Sequence, residues 1–375
     1  MKKILAILGT RPEAVKLAPV IKRIESYPNE FRSLVCVTAQ HRQMLDQVLN
    51  LFDIKPDYDL NIMKPHQTLF DITCNALMGL KRVLEKEQPD IILVQGDTTT
   101  TFVASLAAFY LKIPVGHVEA GLRSFDKFRP YPEEINRKMT THIANLHFAP
   151  TWQSKENLLK EGIEESTIWV TGNTVIDALL MIAEQVTSNA RKWDAYFSEK
   201  WKITFDSKRI ILITGHRRES FGEGFQNICG ALKIIASGHK DLKLIYPLHL
   251  NPNVQQPVKN ILGGIENVQL IEPLDYEPFV YLMTKSYIIL TDSGGVQEEA
   301  PSLGKPVLVM RDVTERPEAV EAGTSKLVGT DVDKIVFETE KLLNDMDYYQ
   351  KISHTHNPYG DGKASEMIVE VLGTV

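Results

Sequence analysis

The sequence predicts an α/β protein made of two doubly wound, Rossmann-like domains facing each other across a cleft. Three observations carry this expectation. Short apolar runs alternate with helical patterns in both halves of the chain. Those runs are apolar at consecutive positions, the mark of parallel strands covered on both faces. The chain, at 375 residues, exceeds what one hydrophobic core usually serves, and its 43% hydrophobic content is enough to fill two.

In the first half the expected strands are 4–8, 34–38, 91–95, 115–118 and a weaker 146–148; in the second they are 210–214, 242–246, 268–270, 287–290 and 307–310. Between the halves, residues 174–186 read as a helix and the polar, Trp-bearing 188–206 as a loose connection or insertion. The boundary is expected near Gly172, giving an N-terminal domain 1–172 and a C-terminal domain 173–357. A closing segment, 358–375, carries a helix over 365–372 that is expected to pack back on the first domain. The likeness of the halves is one of architecture, with no close internal repeat.

Composition narrows the function. A net charge of −6 with no long like-charge run argues against nucleic acid as a partner. Met1-Lys-Lys-Ile-Leu-Ala-Ile-Leu8 opens like a signal peptide, but Arg11 and Glu13 follow at once, so it reads as the first strand. No apolar stretch approaches a membrane span. Cys36, Cys74 and Cys229 are odd in number and widely spaced, which argues against a disulfide framework and fits a reducing cytoplasm. The His, Asp and Glu residues lack metal-ligand spacing, so neither a metal nor a cofactor is expected.

In open α/β sheets ligands gather beyond the carboxyl ends of strands, so the turns there carry most of the information. After the first strand comes Gly9-Thr-Arg-Pro-Glu-Ala-Val-Lys16, with Pro12 near the first helical position. One glycine where three are needed rules out the dinucleotide fingerprint. Arg11 and Lys16 are either a solvated helix start or ligands of an anion, and the anion compensates basic charge that opposes the macrodipole. After the third strand, Asp97 is either a helix cap beside Thr98 or a functional acid. Glu119 stands at the end of the fourth, beside Gly121, without a ready structural use. Glu133 and Glu134 open a helix primed by Pro132, and a dipole role suffices for one of them. Several acids at one rim of a sheet raise one another's pKa and make an acid and base pair.

The second domain repeats the grammar. Thr214-Gly-His-Arg-Arg-Glu-Ser-Phe-Gly222 puts His216 just beyond a strand, to donate to phosphate or carry a proton, with Arg217 and Arg218 adding charge. His117 and His249 are expected as packing residues. Leu290-Thr-Asp-Ser-Gly-Gly-Val-Gln-Glu-Glu-Ala300 is a strand, a tight turn and a helix start. Ser293, Gly294 and Gly295 let a ligand approach the main chain, whose unpaired N–H groups face an anion. Such a turn alone is common, but with Glu298-Glu-Ala-Pro301 behind it the stretch reads as a diphosphate seat. Glu299 is placed for a ribose diol, and Arg311 and Arg316 follow the next strand.

These motifs, with Thr38-Ala-Gln-His-Arg-Gln-Met-Leu-Asp46, Gly172-Asn-Thr-Val-Ile-Asp177 and Thr314-Glu-Arg-Pro-Glu318, resemble in order and spacing the bacterial non-hydrolysing UDP-N-acetylglucosamine 2-epimerases over nearly the whole chain. The resemblance implies a glycosyltransferase-B fold, a homodimer, and reversible conversion of UDP-N-acetylglucosamine into UDP-N-acetylmannosamine for surface polysaccharide. It assigns Asp97, Glu119 and Glu133 as catalytic carboxylates, with His216 near the diphosphate. Arg11 and Lys16 bind substrate from the first domain; Ser293, Gly294, Gly295, Glu299 and Arg316 hold UDP from the second, with Phe279 by the uracil and Leu274 offering backbone groups. Gln40, Gln43 and Glu219 match an activator site for a second UDP-N-acetylglucosamine, where His66 stands in place of an expected Arg. The rivals are a glycosyltransferase of the same fold, which needs an acceptor, a hydrolysing 2-epimerase, which releases free sugar, and a non-catalytic nucleotide-sugar sensor.

Overall fold

A computed structural model describes residues 1–374 apart from Gln40, His41, Pro65, Asp206 and Ser207, together with all side chains in that range except those of Arg42 and Gln43. The chain divides into two compact units, Met1–Ala178 with Tyr359–Val375, and Leu179–Pro358. The division falls inside the helix expected over 174–186, past the boundary expected at 172.

In the first unit the order is β1 (Lys2–Leu8), α1 (Arg11–Glu25), β2 (Phe31–Val37), α2 (Arg42–Leu51), β3 (Tyr58–Asp59), α3 (Leu69–Glu87), β4 (Ile91–Gln95), α4 (Thr99–Tyr110), β5 (Val115–Val118), α5 (Glu133–Ile143), β6 (Leu146–Ala149), α6 (Trp152–Lys160), β7 (Ile168–Val170) and α7 (Thr174–Ser188). Seven strands pair in the order β3-β2-β1-β4-β5-β6-β7, all in parallel. Ile4 to Leu8 of β1 and Ile92 to Val94 of β4 are at most 1% exposed, which is why the central strands read as unbroken apolar runs. One core cluster packs Leu5, Ile7, Ile92 and Val94 against Ile72, Ala76 and Leu80 of α3 and Val103 and Ala107 of α4. The short β3 and β7 had no pattern long enough to predict them.

The second unit contains α8 (Ala190–Trp201), β8 (Arg209–Thr214), α9 (Glu223–Gly238), β9 (Leu242–Pro247), α10 (Pro252–Leu262), β10 (Val268–Ile271), α11 (Tyr276–Lys285), β11 (Ile288–Thr291), α12 (Gly294–Glu299), β12 (Val307–Val309), α13 (Pro317–Ala322), β13 (Ser325–Leu327), α14 (Val332–Asn344) and α15 (Met346–Ser353). Its six parallel strands run β10-β9-β8-β11-β12-β13. The stretch expected as a loose connection over 188–206 is instead mostly α8. Trp193 and Phe197 lie four apart on one face of it, and both are buried. Phe197 stacks on Tyr281 with centroids 6.2 Å apart, and Tyr281 Oη donates to Asp194 Oδ1 at 2.6 Å. The polar composition had hidden this aromatic spacing.

The last helix, α16 (Ala364–Thr374), belongs to the first unit. Asp177 of α7 caps it, taking the Ser365 amide at 2.7 Å and the Ser365 hydroxyl at 2.6 Å. Arg23 of α1 pairs with Glu366 at 2.9 Å.

Candidate active site

In each sheet the strand order reverses once, between β1 and β4 in the first unit and between β8 and β11 in the second. A crevice opens beyond the carboxyl ends of the strands at such a point, because the connections on its two sides leave in opposite directions. The turns after these four strands carry Arg11, Asp97, His216 and Ser293.

In the first unit the β1–α1 turn is stitched to the β4–α4 turn by Glu13, a carboxylate 1% exposed. It accepts the amides of Gly9 and Thr10 at 2.9 and 2.7 Å and the hydroxyls of Thr98 and Thr101 at 2.7 and 3.0 Å. Burial raises its pKa, against the pull of these donors. Gly9 is required here, because a Cβ would collide with the Thr38 and Thr100 hydroxyls. Arg11 is half-buried, and among the described residues its guanidinium has no partner. Lys16, a turn further on, pairs with Oε1 of Glu119.

Asp97 does not cap α4. Thr98 does, its hydroxyl accepting the Thr101 amide at 3.2 Å. The hydroxyl cap frees the acid, which forms an ion pair with Arg137 of α5 through Oδ2, while Asn136 donates to the Asp97 carbonyl at 3.0 Å. The Asp97 pKa is raised by burial, with the Arg137 guanidinium opposing and the Glu119 charge adding to the rise. Glu119 is 9% exposed and sits at φ +66°, a left-handed conformation that a non-glycine residue adopts only where its surroundings hold it. Its Oε2 accepts from Gln95, and its Oε1, shared with Lys16, accepts from Asn173 at 3.2 Å. His117 Nε2 donates to the Gly96 carbonyl at 2.8 Å. Burial pushes its pKa down to about 3, so it is the neutral packing residue the sequence suggested.

The paired acids of α5 separate cleanly. Glu134 is fully buried and takes the amides of Ser124 and Phe125 at 3.0 and 3.2 Å, with Arg137 3.3 Å away. It folds the loop before the helix. Glu133, one residue earlier and half-exposed, has no partner among the described residues.

In the second unit His216 and Arg217 donate their amides to Oδ2 of Asp292 at 2.7 and 2.8 Å. The imidazole Nδ1 lies 3.4 Å from Oδ1 of the same carboxylate, which is wholly buried. Burial lowers the His216 pKa; Asp292 opposes this, and His249 and Arg217 add to it. His249 is not a packing residue. It is exposed and stacks on His216 with ring centroids 5.4 Å apart, because β9 brings its own end alongside that of β8.

Ser293 is the N-cap residue of α12, and its amide is taken up by Thr291 Oγ1 at 2.9 Å. The first-turn amides that follow, from Gly294 and Gly295, have no intrahelical acceptor. A Cβ on Gly294 would stand 3.8 Å from Arg217 Nη2, and the buried Nε of Arg217 has no acceptor among the described residues. Glu299 is buried and accepts from Tyr276 Oη at 2.8 Å. Arg316 pairs with Glu298, and Arg311 with Glu219 at 2.5 Å and Glu315 at 3.0 Å. Leu274 lies just before α11 and Phe279 in its first turns, both half-buried.

A family model described as UDP-N-acetylglucosamine 2-epimerase matches residues 22–373. The chain belongs to the UDP-N-acetylglucosamine 2-epimerase family. The 2-epimerase of Escherichia coli (strain K12) is 58% identical over 370 residues, 99% of this chain and 98% of the relative. The structure of the 2-epimerase from Neisseria meningitidis bound to UDP-GlcNAc has 53% identity and a TM-score of 0.92, with 100% of both chains covered. That of Methanocaldococcus jannaschii in complex with UDP-GlcNAc and UDP has 37% identity and a TM-score of 0.75, again with 100% of both covered. Two doubly wound parallel-sheet units are the glycosyltransferase-B type of architecture expected for the 2-epimerase family.

Of the activator residues implied by the 2-epimerase resemblance, Gln40, Gln43 and His66 belong to the first unit and Glu219 to the second. Gln40 lies outside the described residues, as does the Gln43 side chain. His66 is exposed, and Glu219 is occupied by Arg311. Sequence reasoning missed Arg137, Asp292, Glu13, Gln95 and Asn173. Signals existed for two of them: Thr10 and Glu13 stand at capping-box spacing, and Arg137 falls three residues after Glu134 on one helix. Among the described residues no group of three or more His, Cys, Asp or Glu forms a metal cage, and no helix is long and apolar enough to cross a membrane.

Proposed function

We propose that this chain interconverts UDP-N-acetylglucosamine and UDP-N-acetylmannosamine by taking a proton from C2 of the sugar and returning one to the opposite face, with UDP leaving and rejoining C1. The observation that carries the reading is the pair of cation-held acids, Asp97 with Arg137 and Glu119 with Lys16, at the carboxyl ends of the adjacent strands β4 and β5 in a 2-epimerase family member.

The C2 hydrogen is not beside a carbonyl, so a side-chain base alone removes it too slowly. Departure of UDP comes first: the C1–O bond breaks, its electron pair leaves on the diphosphate, and positive charge develops on the ring. A carboxylate then takes the C2 proton and a 2-acetamidoglucal forms. The α12 amides, Arg217 and His216 stabilise the departing diphosphate electrostatically, and Arg11 is a substrate-binding cation of the first unit. Ser293, Gly294, Gly295 and Arg316 hold UDP, with Glu299 on the ribose and Phe279 and Leu274 at the uracil. Protonation from the other face and attack of UDP on C1 complete the epimer. Two faces call for more than one acid, which is the use of Asp97, Glu119 and Glu133 together. Exclusion of water protects the glycal. The same reading makes the protein a cytoplasmic homodimer; the unpaired thiols Cys36, Cys74 and Cys229 support a reducing compartment.

NMR of the protein with UDP-N-acetylglucosamine alone in heavy water tests this. UDP-N-acetylmannosamine carrying deuterium at C2 is expected. Free N-acetylmannosamine and UDP, or no turnover without an acceptor, would overturn it.

A further inference from the structure

Asn173 stands where the chain passes between its two compact units. It lies shortly before the division after Ala178, and its amide donates to the carbonyl of Tyr359, the first residue of the returning segment, at 2.7 Å. The two passages touch here: a Cβ on Gly172, at φ +88°, would lie 3.2 Å from the Tyr359 oxygen. The Asn173 side chain is 3% exposed, and its orientation is fixed by its partners. Oδ1 accepts the Val175 amide at 3.1 Å, which opens α7, so Nδ2 is the atom facing Glu119 Oε1 at 3.2 Å.

We propose that Asn173 is a positioning residue for the reaction, holding the Glu119 carboxylate to the point where the two chain passages meet. It is a neutral donor, so it fixes Oε1 without adding the second positive charge that a lysine or arginine would bring beside Lys16. Glu119 is thereby held from three sides, by Lys16 of α1, by Gln95 of β4 and by Asn173 ahead of α7. Its left-handed backbone needs such constraint. A carboxylate that must meet C2 at a defined angle loses rate when one of these anchors goes. The inference rests on reading Glu119 as a reacting acid.

Asn173→Asp separates this role from a structural one. Aspartate can still accept the Val175 amide and open α7, but beside Glu119 it either sets a like charge against that carboxylate or shares a proton with it, and both disturb the acid. A residue with only a structural role would lose stability without a selective loss of kcat; a positioning residue loses kcat, and only while Glu119 is present. For Asn173→Asp, kcat for epimerisation is expected to fall about tenfold or more, with KM within about twofold, and any loss of thermal stability is expected to be relieved when Glu119 is also replaced by Gln. In a Glu119→Gln background the same change is expected to add little further loss, since its target is gone. An Asn173→Asp enzyme with native kcat, or full additivity with Glu119→Gln, would overturn the inference. Full turnover by Glu119→Gln alone would instead remove the reading beneath it, and the inference with it.

Discussion

The buried carboxylate of Asp292 takes the His216 backbone amide at 2.7 Å through Oδ2, while its Oδ1 lies 3.4 Å from the imidazole Nδ1 without a hydrogen bond. One side chain after β11 thus fixes the turn after β8 and sets a negative charge beside its ring. The Asp292 charge opposes the lowering of the His216 pKa by burial. Asp292→Asn is therefore expected to lower that pKa further, leaving less imidazolium to meet a diphosphate. Proton NMR titration of the imidazole reads the shift; an upward move would contradict the arrangement. Turnover is expected to fall about tenfold or more, up to the roughly 10² to 10⁴ typical of losing a proton-carrying side chain outright.

The adjacent acids of α5 should behave as opposites. Glu133 has no partner among the described residues, so Glu133→Gln is expected to change stability by less than about 0.5 kcal/mol, while C2 deuterium exchange drops by about 10² to 10⁴. Glu134→Gln removes charge from a buried acceptor of two amides, and a loss of about 1–3 kcal/mol in urea unfolding is expected.

Arg11 invites a similar separation. Its guanidinium sits at the start of α1, where a cation opposes the helix dipole, and has no partner among the described residues. Arg11→Met is expected to leave the unfolding midpoint unchanged or slightly raised. KM for the nucleotide sugar is expected to rise about tenfold, and the native chain's KM to increase with added salt more steeply than the variant's.

His117 gives a pH signature. Its pKa moves from the ordinary 6.5 down to about 3 on burial. Between these values the unfolded chain binds the proton and the folded chain does not, so stability is lost as pH falls through this window, by about 1.4 kcal/mol per unit from this group. The raised carboxyls of Glu13, Asp97 and Asp177 act in the other direction. His117→Gln isolates the histidine, keeping a donor for the Gly96 carbonyl without the titration. It is expected to be about 1 kcal/mol less stable than the native chain near neutral pH, and more stable than it near pH 4.5. An equal gap at both pH values would refute the assignment.

Gly9→Ala tests the close approach at the β1–α1 turn. The new methyl would collide with the Thr38 and Thr100 hydroxyls, which lie 2.9 Å from each other. A loss of about 1–3 kcal/mol is expected, the usual cost of forcing volume into a packed site.

Much of the architecture was legible in the amino-acid order. Strands such as β1, β4, β8 and β11 are buried on both faces, so they appear as unbroken apolar runs, and the turns after them announce themselves by glycine and charge. Helix α8 was not legible, because its buried aromatics are interleaved with lysines and acids that a composition reading takes for a linker. Strands β3, β7 and β13 were too short to carry a period. The sequence by itself determined that two parallel sheets form, and which turns lie at their ligand-side ends, because burial and chain reversal act on neighbouring residues. Only the tertiary structure decided the partners: Asp97 with Arg137, Glu119 with Asn173 and His216 with Asp292 lie 40, 54 and 76 positions apart. A local pattern cannot encode a contact that exists only after a sheet has aligned the ends of its strands.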